Sequence, residues 1–163
     1  MEQDKSHRGN ASQFFVAGEL CRRGYAALVT IGNTPNTDIL CSNRAGTKFV
    51  HIQVKTFVPG TKTCSVGAKA ERDYGVNFFW VLAGIPVPGS GLPFEYFIVP
   101  SADMARNVAA SHKRWLETPG KDGRAHRDNA HRAVAVAGGA SPFAWSVLEY
   151  RDQWSLLEAG LDD

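Results

Sequence analysis

The sequence predicts a mixed α/β domain in which helices flank a central sheet. Three observations support this fold class: a helical stripe near the amino terminus, an alternating run at residues 48–56 and an all-apolar run at residues 78–83. The elements follow in the order helix, three strands, weak helix, strands and helices, so the predicted core order is α-β-β-β-α-β with extra C-terminal helices. A length of 163 residues fits one domain.

The first helix is predicted over residues 11–23. Asn10 can cap it, with Gln13 as the capping-box partner three residues later. Apolar residues then recur on one helical stripe, which ends at Gly24. Residues 25–31 are apolar and rich in β-forming residues, so they predict the first strand.

A hairpin is predicted to follow this strand. Turn residues at 32–36 precede a second strand over 38–41, and residues 42–46 connect it to a third strand over 48–56. The third strand alternates, with Val50, Ile52 and Val54 on one face and His51, Gln53 and Lys55 on the other. Strands joined by a hairpin are antiparallel, so we expect a mixed sheet.

The second half of the chain gives weaker patterns. We predict, in chain order, a short helix over 68–74, a buried strand over 78–83, a strand over 94–99, a helix from a Ser101 cap to about Trp115, a helix over 127–137 and a last helix whose apolar face holds Tyr150, Trp154 and Leu157. Within the single domain, residues 1–8 are expected to form a flexible terminus, residues 9–99 the core and residues 100–163 a helical extension.

Composition narrows the class of protein. With 44% hydrophobic and 21% charged residues, the chain has the make-up of a soluble globular protein. No apolar run approaches the ~18 residues that span a bilayer, and residues 1–10 lack the apolar region of a secretory signal. The three cysteines are far apart without CxxC spacing, which predicts reduced thiols rather than a disulfide framework or a zinc site. We therefore expect a cytoplasmic protein.

The net charge of +2 is compatible with a nucleic-acid partner without demanding one. Residues 101–132 hold seven Lys or Arg against four acids, which fits either a phosphate-facing patch or a solvated helical face. The candidate nucleic-acid contacts are Lys62, Lys69, Lys113, Arg114, Arg124 and Arg127.

The predicted hairpin brings three polar residues together. Asp38 opens the second strand, while Gln53 and Lys55 lie two residues apart on one face of the third. Opposed residues on paired strands lie about 5 Å apart, so the three groups can converge on one point. A metal-dependent phosphodiesterase needs a carboxylate, a second oxygen ligand and a cationic side chain in such an arrangement. The same pattern also fits a half-exposed strand without a site, with Asp38 serving only the turn.

The succession GELCRRGY, NTPNTDIL and FVHIQVKT resembles the PD-(D/E)XK nuclease superfamily, and most of all its resolvase-like and intron-endonuclease-like branches. The resemblance covers about residues 9–57, roughly a third of the chain. It implies a restriction-endonuclease-like fold and a metal-dependent endonuclease that hydrolyses phosphodiester bonds in DNA with Mg²⁺ or Mn²⁺. A homodimer is a further expectation, because duplex DNA has two strands to cut.

The resemblance also implies roles for the three polar residues. Asp38 would be the principal metal ligand, Gln53 would occupy the position of the Asp or Glu, and Lys55 would polarise the attacking water and stabilise charge on the phosphate. Gln53 departs from the family pattern, since an amide oxygen can ligate Mg²⁺ but brings no charge. Metal affinity should fall accordingly.

Resolvase-like members often contribute another acid from the first helix, and two residues are candidates for that position. Gln13 lies on the apolar stripe of the helix, whereas Glu19 lies on the opposite side between Arg22 and Arg23. The spacing to the end of the helix favours Gln13, with Glu19 as a surface partner of the two arginines. In that case Asp38 is the only charged ligand.

Three functions are compatible with these residues. The first is a Mg²⁺-dependent endonuclease acting on DNA. The second is a catalytically weak or inactive nuclease-fold protein that binds nucleic acid or a partner protein, which the two amides at acid positions favour. The third is an RNA-directed nuclease.

Overall fold

The computed structural model describes residues 5–31 and 34–162, which form a central sheet with helices on both faces. In chain order the elements are α1 (Lys5–Arg22), β1 (Ala26–Val29), β2 (Ile39–Ser42), β3 (Phe49–Phe57), β4 (Thr63–Ser65), β5 (Phe78–Gly84), β6 (Glu95–Pro100), α2 (Ser101–Glu117), β7 (Ala133–Ala135) and α3 (Ser155–Glu158). Two 3-10 helices span Ala68–Glu71 and Leu148–Tyr150. Among these helices, none has the length and apolar character that crossing a bilayer requires.

The central sheet has five strands in the order β1-β2-β3-β5-β6. β1, β2 and β3 form an antiparallel meander, β3 and β5 are parallel, and β6 returns antiparallel to β5. The mixed sheet predicted from the hairpin is confirmed. A second sheet of two short strands pairs β4 with β7, which are antiparallel.

The alternation of β3 divides the sheet between two cores. Val50, Ile52 and Val54 are buried on the face covered by α1 and α3, as the sequence predicts. On the opposite face, Trp80 of the neighbouring strand belongs to a second core, which α2 and the β4–β7 pair cover. The polar residues of β3 therefore lie on the same face of the sheet as the second core, next to the part of that face that α2 and the β4–β7 pair cover.

Helix α1 begins earlier than the sequence predicts. Residues 5–8 are helical, whereas the sequence predicts the helix only from residue 11, and residues 1–4 lie outside the described residues. Asn10 is inside the helix and cannot be its cap. The helix contacts the sheet through Ser12, whose Oγ lies 2.6 Å from Thr56 Oγ1 and also donates to the Gly9 carbonyl.

The helix predicted over residues 127–137 is wrong. That segment contains the strand β7, in which Ala133 pairs with Ser65 and Ala135 with Thr63. An alternating Ala-Val run fits a helix or a short buried strand equally well, and only the distant partner decides between them. The partner strand β4 was itself not predicted, because residues 58–69 carry turn chemistry.

Several smaller predictions also need correction. Ser101 is the first residue of α2 rather than its cap: Pro100 holds the cap position, and Ser101 Oγ accepts a hydrogen bond from the Tyr74 backbone N–H at 2.7 Å. The helix predicted over 68–74 is a short 3-10 helix.

The last helix is a single turn, α3, with Trp154 and Leu157 buried against the sheet as its apolar pattern requires. The strands predicted over 78–83 and 94–99 are confirmed.

Candidate active site

The register of β2 and β3 determines where Asp38 lies. Ile39 is paired with Ile52 in the antiparallel ladder. Extending this pairing by one residue sets Asp38 opposite Gln53, on the face that Lys55 also shares. The structure therefore brings Asp38 and Gln53 together from two strands, as the hairpin predicts.

Asp38 is held by direct hydrogen bonds from β3. Gln53 Nε2 and the Val54 backbone N–H both donate to Asp38 Oδ2, the second at 2.8 Å. The Asp38 backbone N–H donates to the Ile52 carbonyl at 2.9 Å. Among the described residues, both hydrogen bonds to the carboxylate use Oδ2, which leaves Oδ1 available to a ligand.

The carboxylate of Asp38 is half-buried, and burial raises its pKa above the usual value for aspartate. The Val54 N–H and the charge of Lys55 act in the opposite direction, because both favour the ionised form, but they do not cancel the effect of burial. An acid in this state gains more from a nearby cation than a fully solvated one. Asp38 is therefore suited to cation binding.

Lys55 lies two residues beyond Gln53, on the same face of β3. Its Nζ is 6.0 Å from the ring centroid of Trp80, within the range of a cation–π interaction. Trp80 is 2% exposed and is the strand neighbour of Gln53, so the ring forms a fixed apolar wall beside the polar group. This wall limits the directions that the ammonium group can take.

The donor set around Asp38 fits one divalent cation and no more. No group of three or more His, Cys, Asp or Glu side chains suited to a metal exists within residues 5–31 and 34–162. Asp38 supplies the single carboxylate, and Gln53 can add an amide oxygen if its amide group turns, because Nε2 faces Asp38 in the structure. Mg²⁺ and Mn²⁺ accept such oxygen ligands while keeping several waters.

The two candidates on α1 take different positions. Gln13 is half-buried on the helix face that packs against the sheet, and no hydrogen bond between described residues joins it to Asp38. Glu19 accepts hydrogen bonds from Arg22 Nε at 2.7 Å and Arg23 Nε at 2.8 Å. These bonds, chiefly that from Arg22, lower the pKa of Glu19. The predicted pairing of Glu19 with the two arginines is confirmed, although its side chain is only 19% exposed.

The six basic candidates for nucleic-acid contact all lie on the surface, but in different elements. Lys62 precedes β4, Lys69 is in a 3-10 helix, and Lys113 and Arg114 are near the end of α2. Arg124 and Arg127 are exposed and belong to the segment between α2 and β7, at residues 118–132.

A polar network beside Asp38 was missed at the sequence level. Thr37 is buried, and its Oγ1 lies 3.2 Å from His51 Nδ1. Its carbonyl accepts a hydrogen bond from Thr30 Oγ1 at 2.7 Å. The network fixes the backbone immediately before Asp38. The alternation of β3 does place His51 on the site's face, but no sequence pattern identifies Thr37 as its partner.

Comparison with known proteins identifies the fold class of the chain. No protein-family model matches the chain, and no curated protein sequence matches it either. Among solved structures, a bacterial homing endonuclease matches with a TM-score of 0.55 at 14% identity, over 96% of this chain and 94% of that one. A Holliday junction resolvase from the archaeal hyperthermophile Archaeoglobus fulgidus matches with a TM-score of 0.45 at 16% identity, over 86% and 93% of the two chains. The chain has a restriction-endonuclease-like fold, as its sequence predicts.

Proposed function

We propose that this protein is a metal-dependent endonuclease that hydrolyses phosphodiester bonds in DNA at a centre made of Asp38, Gln53 and Lys55. One observation carries the proposal: a half-buried carboxylate and an amide meet across adjacent strands, with a lysine on the same face. The fold shared with a homing endonuclease supports it, because this arrangement lies in a nuclease-type sheet.

A bound Mg²⁺ or Mn²⁺ would polarise the scissile phosphate and lower the pKa of a water molecule. Asp38 would hold the cation through a carboxylate oxygen and Gln53 through its amide oxygen. Hydrolysis needs attack of water on phosphorus and departure of one ester oxygen, with negative charge growing on the phosphate oxygens. The Lys55 ammonium group stabilises that charge and orients the water.

A second function is favoured by the same hydrogen bond. Gln53 already satisfies one oxygen of Asp38, and the site contains a single carboxylate. A protein of this kind could bind nucleic acid or a partner protein through the nuclease fold and cleave weakly or not at all. The two functions differ in one property, which is metal-dependent cleavage.

The decisive experiment is the nicking of supercoiled plasmid in Mg²⁺ or Mn²⁺. We expect nicking by the wild type and a loss of about 100-fold or more in Asp38→Asn and Lys55→Ala, since each removes charge stabilisation at the reacting phosphate. Asp122→Asn, in the segment before β7, and Arg44→Ala, in the turn between β2 and β3, are exposed controls. Equal nicking by all five proteins would indicate a contaminating nuclease. Absence of nicking, with no Mn²⁺ binding by calorimetry, would exclude the first function and favour the second.

The same preparations test the finer parts of the proposal. Structured RNA offered in parallel with plasmid distinguishes a DNA nuclease from an RNA-directed one. Light scattering with and without duplex DNA measures the homodimer that cutting two strands favours. Cell fractionation tests the cytoplasmic location.

A further inference from the structure

A cavity of about 290 Å³ lies away from β2, between the second half of α2, the start of β7 and residues 141–144. Its apolar surface comes from Val108, Trp115, Ala133 and Phe143. Its polar groups come from Ser111, His112, Asn129 and His131. None of these residues takes part in the catalytic centre proposed above.

Aromatic rings fix one wall of this cavity. Trp115 is stacked with His126 at 4.1 Å between ring centroids and with His112 at 5.4 Å. The guanidinium group of Arg114 lies 5.8 Å from the centre of the Phe143 ring and also donates to the Pro142 carbonyl. These contacts hold both aromatic residues in place before any ligand arrives, so binding requires little ordering.

A buried arginine fixes the opposite rim. Arg132 is 7% exposed, and its guanidinium group donates to Glu71 and to the carbonyls of Asn129 and His131. Asp128 lies 3.5 Å from the same group and 2.8 Å from His112 Nε2. The positive charge of Arg132 is therefore balanced by two carboxylates. The interior of the cavity offers no unpaired cation to a bound anion.

The surface around the cavity is basic, in contrast to its charge-balanced interior. Lys113 and Arg114 flank the lining residues on α2, while Arg124 and Arg127 belong to the exposed segment that holds His126 and Asn129. Residues 101–132 have seven basic against four acidic residues, and Arg132 is the one basic residue of the seven that is buried. A charge-balanced, apolar, aromatic cavity thus lies within a basic surface.

This combination suits a flat, neutral heterocycle attached to a polyanion. We propose that the cavity binds one unpaired nucleobase, with the surrounding basic residues contacting the adjacent phosphates. Stacking against aromatic and apolar walls binds bases regardless of sequence, and the polar groups can reach the base edge. A paired base cannot enter, because its edge is hidden in the duplex. The inference rests on the proposed function only for its choice of nucleic acid as the ligand.

The test compares a DNA duplex carrying one bulged 2-aminopurine with the same duplex fully paired. We expect the wild type to bind the bulged duplex about tenfold more tightly, which is within the range of stacking one base. Stacking in the cavity should also quench the fluorescence of the 2-aminopurine. Ser111→Trp fills the cavity and should bring the ratio of affinities to about one with loss of quenching. Ala110→Trp, on the exposed side of the same helix, should retain both effects.

His131→Ala provides a second variant that removes a polar edge without adding bulk, and it should lower the ratio severalfold. Equal binding of bulged and paired duplex by the wild type would overturn the inference. A preference unchanged in both Ser111→Trp and His131→Ala would overturn it as well. Metal-dependent nicking of plasmid in the same samples reports on Asp38 separately, so failure of the cavity and failure of the nuclease are distinguishable.

Discussion

The half-buried position of Asp38 destabilises its ionised carboxylate. Burial raises its pKa, so the folded protein binds this proton more tightly than the unfolded chain does. The ionised group therefore destabilises the folded state at pH values above its folded pKa, and this penalty declines as the pH falls through that pKa toward the usual pKa of aspartate. A bound cation would remove the same penalty at neutral pH.

This state of Asp38 gives a prediction about pH. Asp38→Asn keeps the shape of the side chain and still accepts the Val54 N–H, but it removes the buried charge. We expect the variant to be more stable than the wild type at pH 7 without metal, with the difference shrinking as the pH falls toward the usual pKa of aspartate. Urea unfolding at several pH values measures this, with Asp122→Asn as the control. A variant less stable than the wild type at pH 7 would contradict it.

In the proposed centre, Gln53 is the position at which a second charged ligand is missing. Replacing its amide with a carboxylate in Gln53→Glu adds a charged oxygen ligand beside Asp38. We expect Mn²⁺ affinity to rise by about tenfold, because the charge of the ligands tunes divalent-cation binding. Without metal the variant should be less stable, since it loses the Nε2–H donor and brings two carboxylates together. Calorimetry and thermal unfolding measure the two effects, and a variant with unchanged affinity would contradict the assignment.

At the scale of the elements, Gly84 in β5 is packed closely against its neighbours. A Cβ added to Gly84 would lie 2.7 Å from Phe57 Cζ and 3.0 Å from Glu95 Cβ. Gly84→Ala should therefore lower the free energy of unfolding by about 1–3 kcal/mol through overpacking. Gly138→Ala, where a Cβ meets nothing within 4 Å, should change it by less than about 0.5 kcal/mol. Urea unfolding compares the two, and equal effects would show that the packing is looser than described.

The elements also show what the sequence could predict. The strands of the candidate site were predictable for two reasons. Apolar and polar residues alternate along β3, which shows which side chains share a face. The hairpin pairs β2 with β3 so that Asp38 lies opposite Gln53. The β4–β7 pair was not, since each strand has three residues and their partners are far apart in the chain. The orientation of the Gln53 amide was also beyond the sequence, because it depends on which atom meets Asp38 Oδ2.

At the scale of the whole molecule, charge is distributed unevenly. The net charge is only +2, yet residues 101–132 are basic, and Arg124 and Arg127 are exposed within them. Nucleic-acid binding by such residues should depend on salt, because each phosphate contact releases counterions. We therefore expect nucleic acid to contact this basic segment rather than to be attracted by the overall net charge.

The salt dependence gives a quantitative prediction. Arg124→Ala combined with Arg127→Ala should weaken duplex binding and reduce the slope of log K against log salt by about two. Arg106→Ala is the control, because Arg106 is already paired with Asp103 on α2. Fluorescence anisotropy at increasing salt measures both. A slope that is unchanged in the double variant would exclude this segment from the interface.

The most direct measurement is a crystal structure of the protein with Mn²⁺, using the anomalous signal of the metal. The proposed centre predicts one peak bonded to an oxygen of Asp38 and to Gln53 Oε1 at about 2.0–2.3 Å, with the Gln53 amide turned. A site without a peak, in which Gln53 Nε2 still donates to Asp38, would contradict a catalytic metal centre and leave the fold without the activity proposed for it.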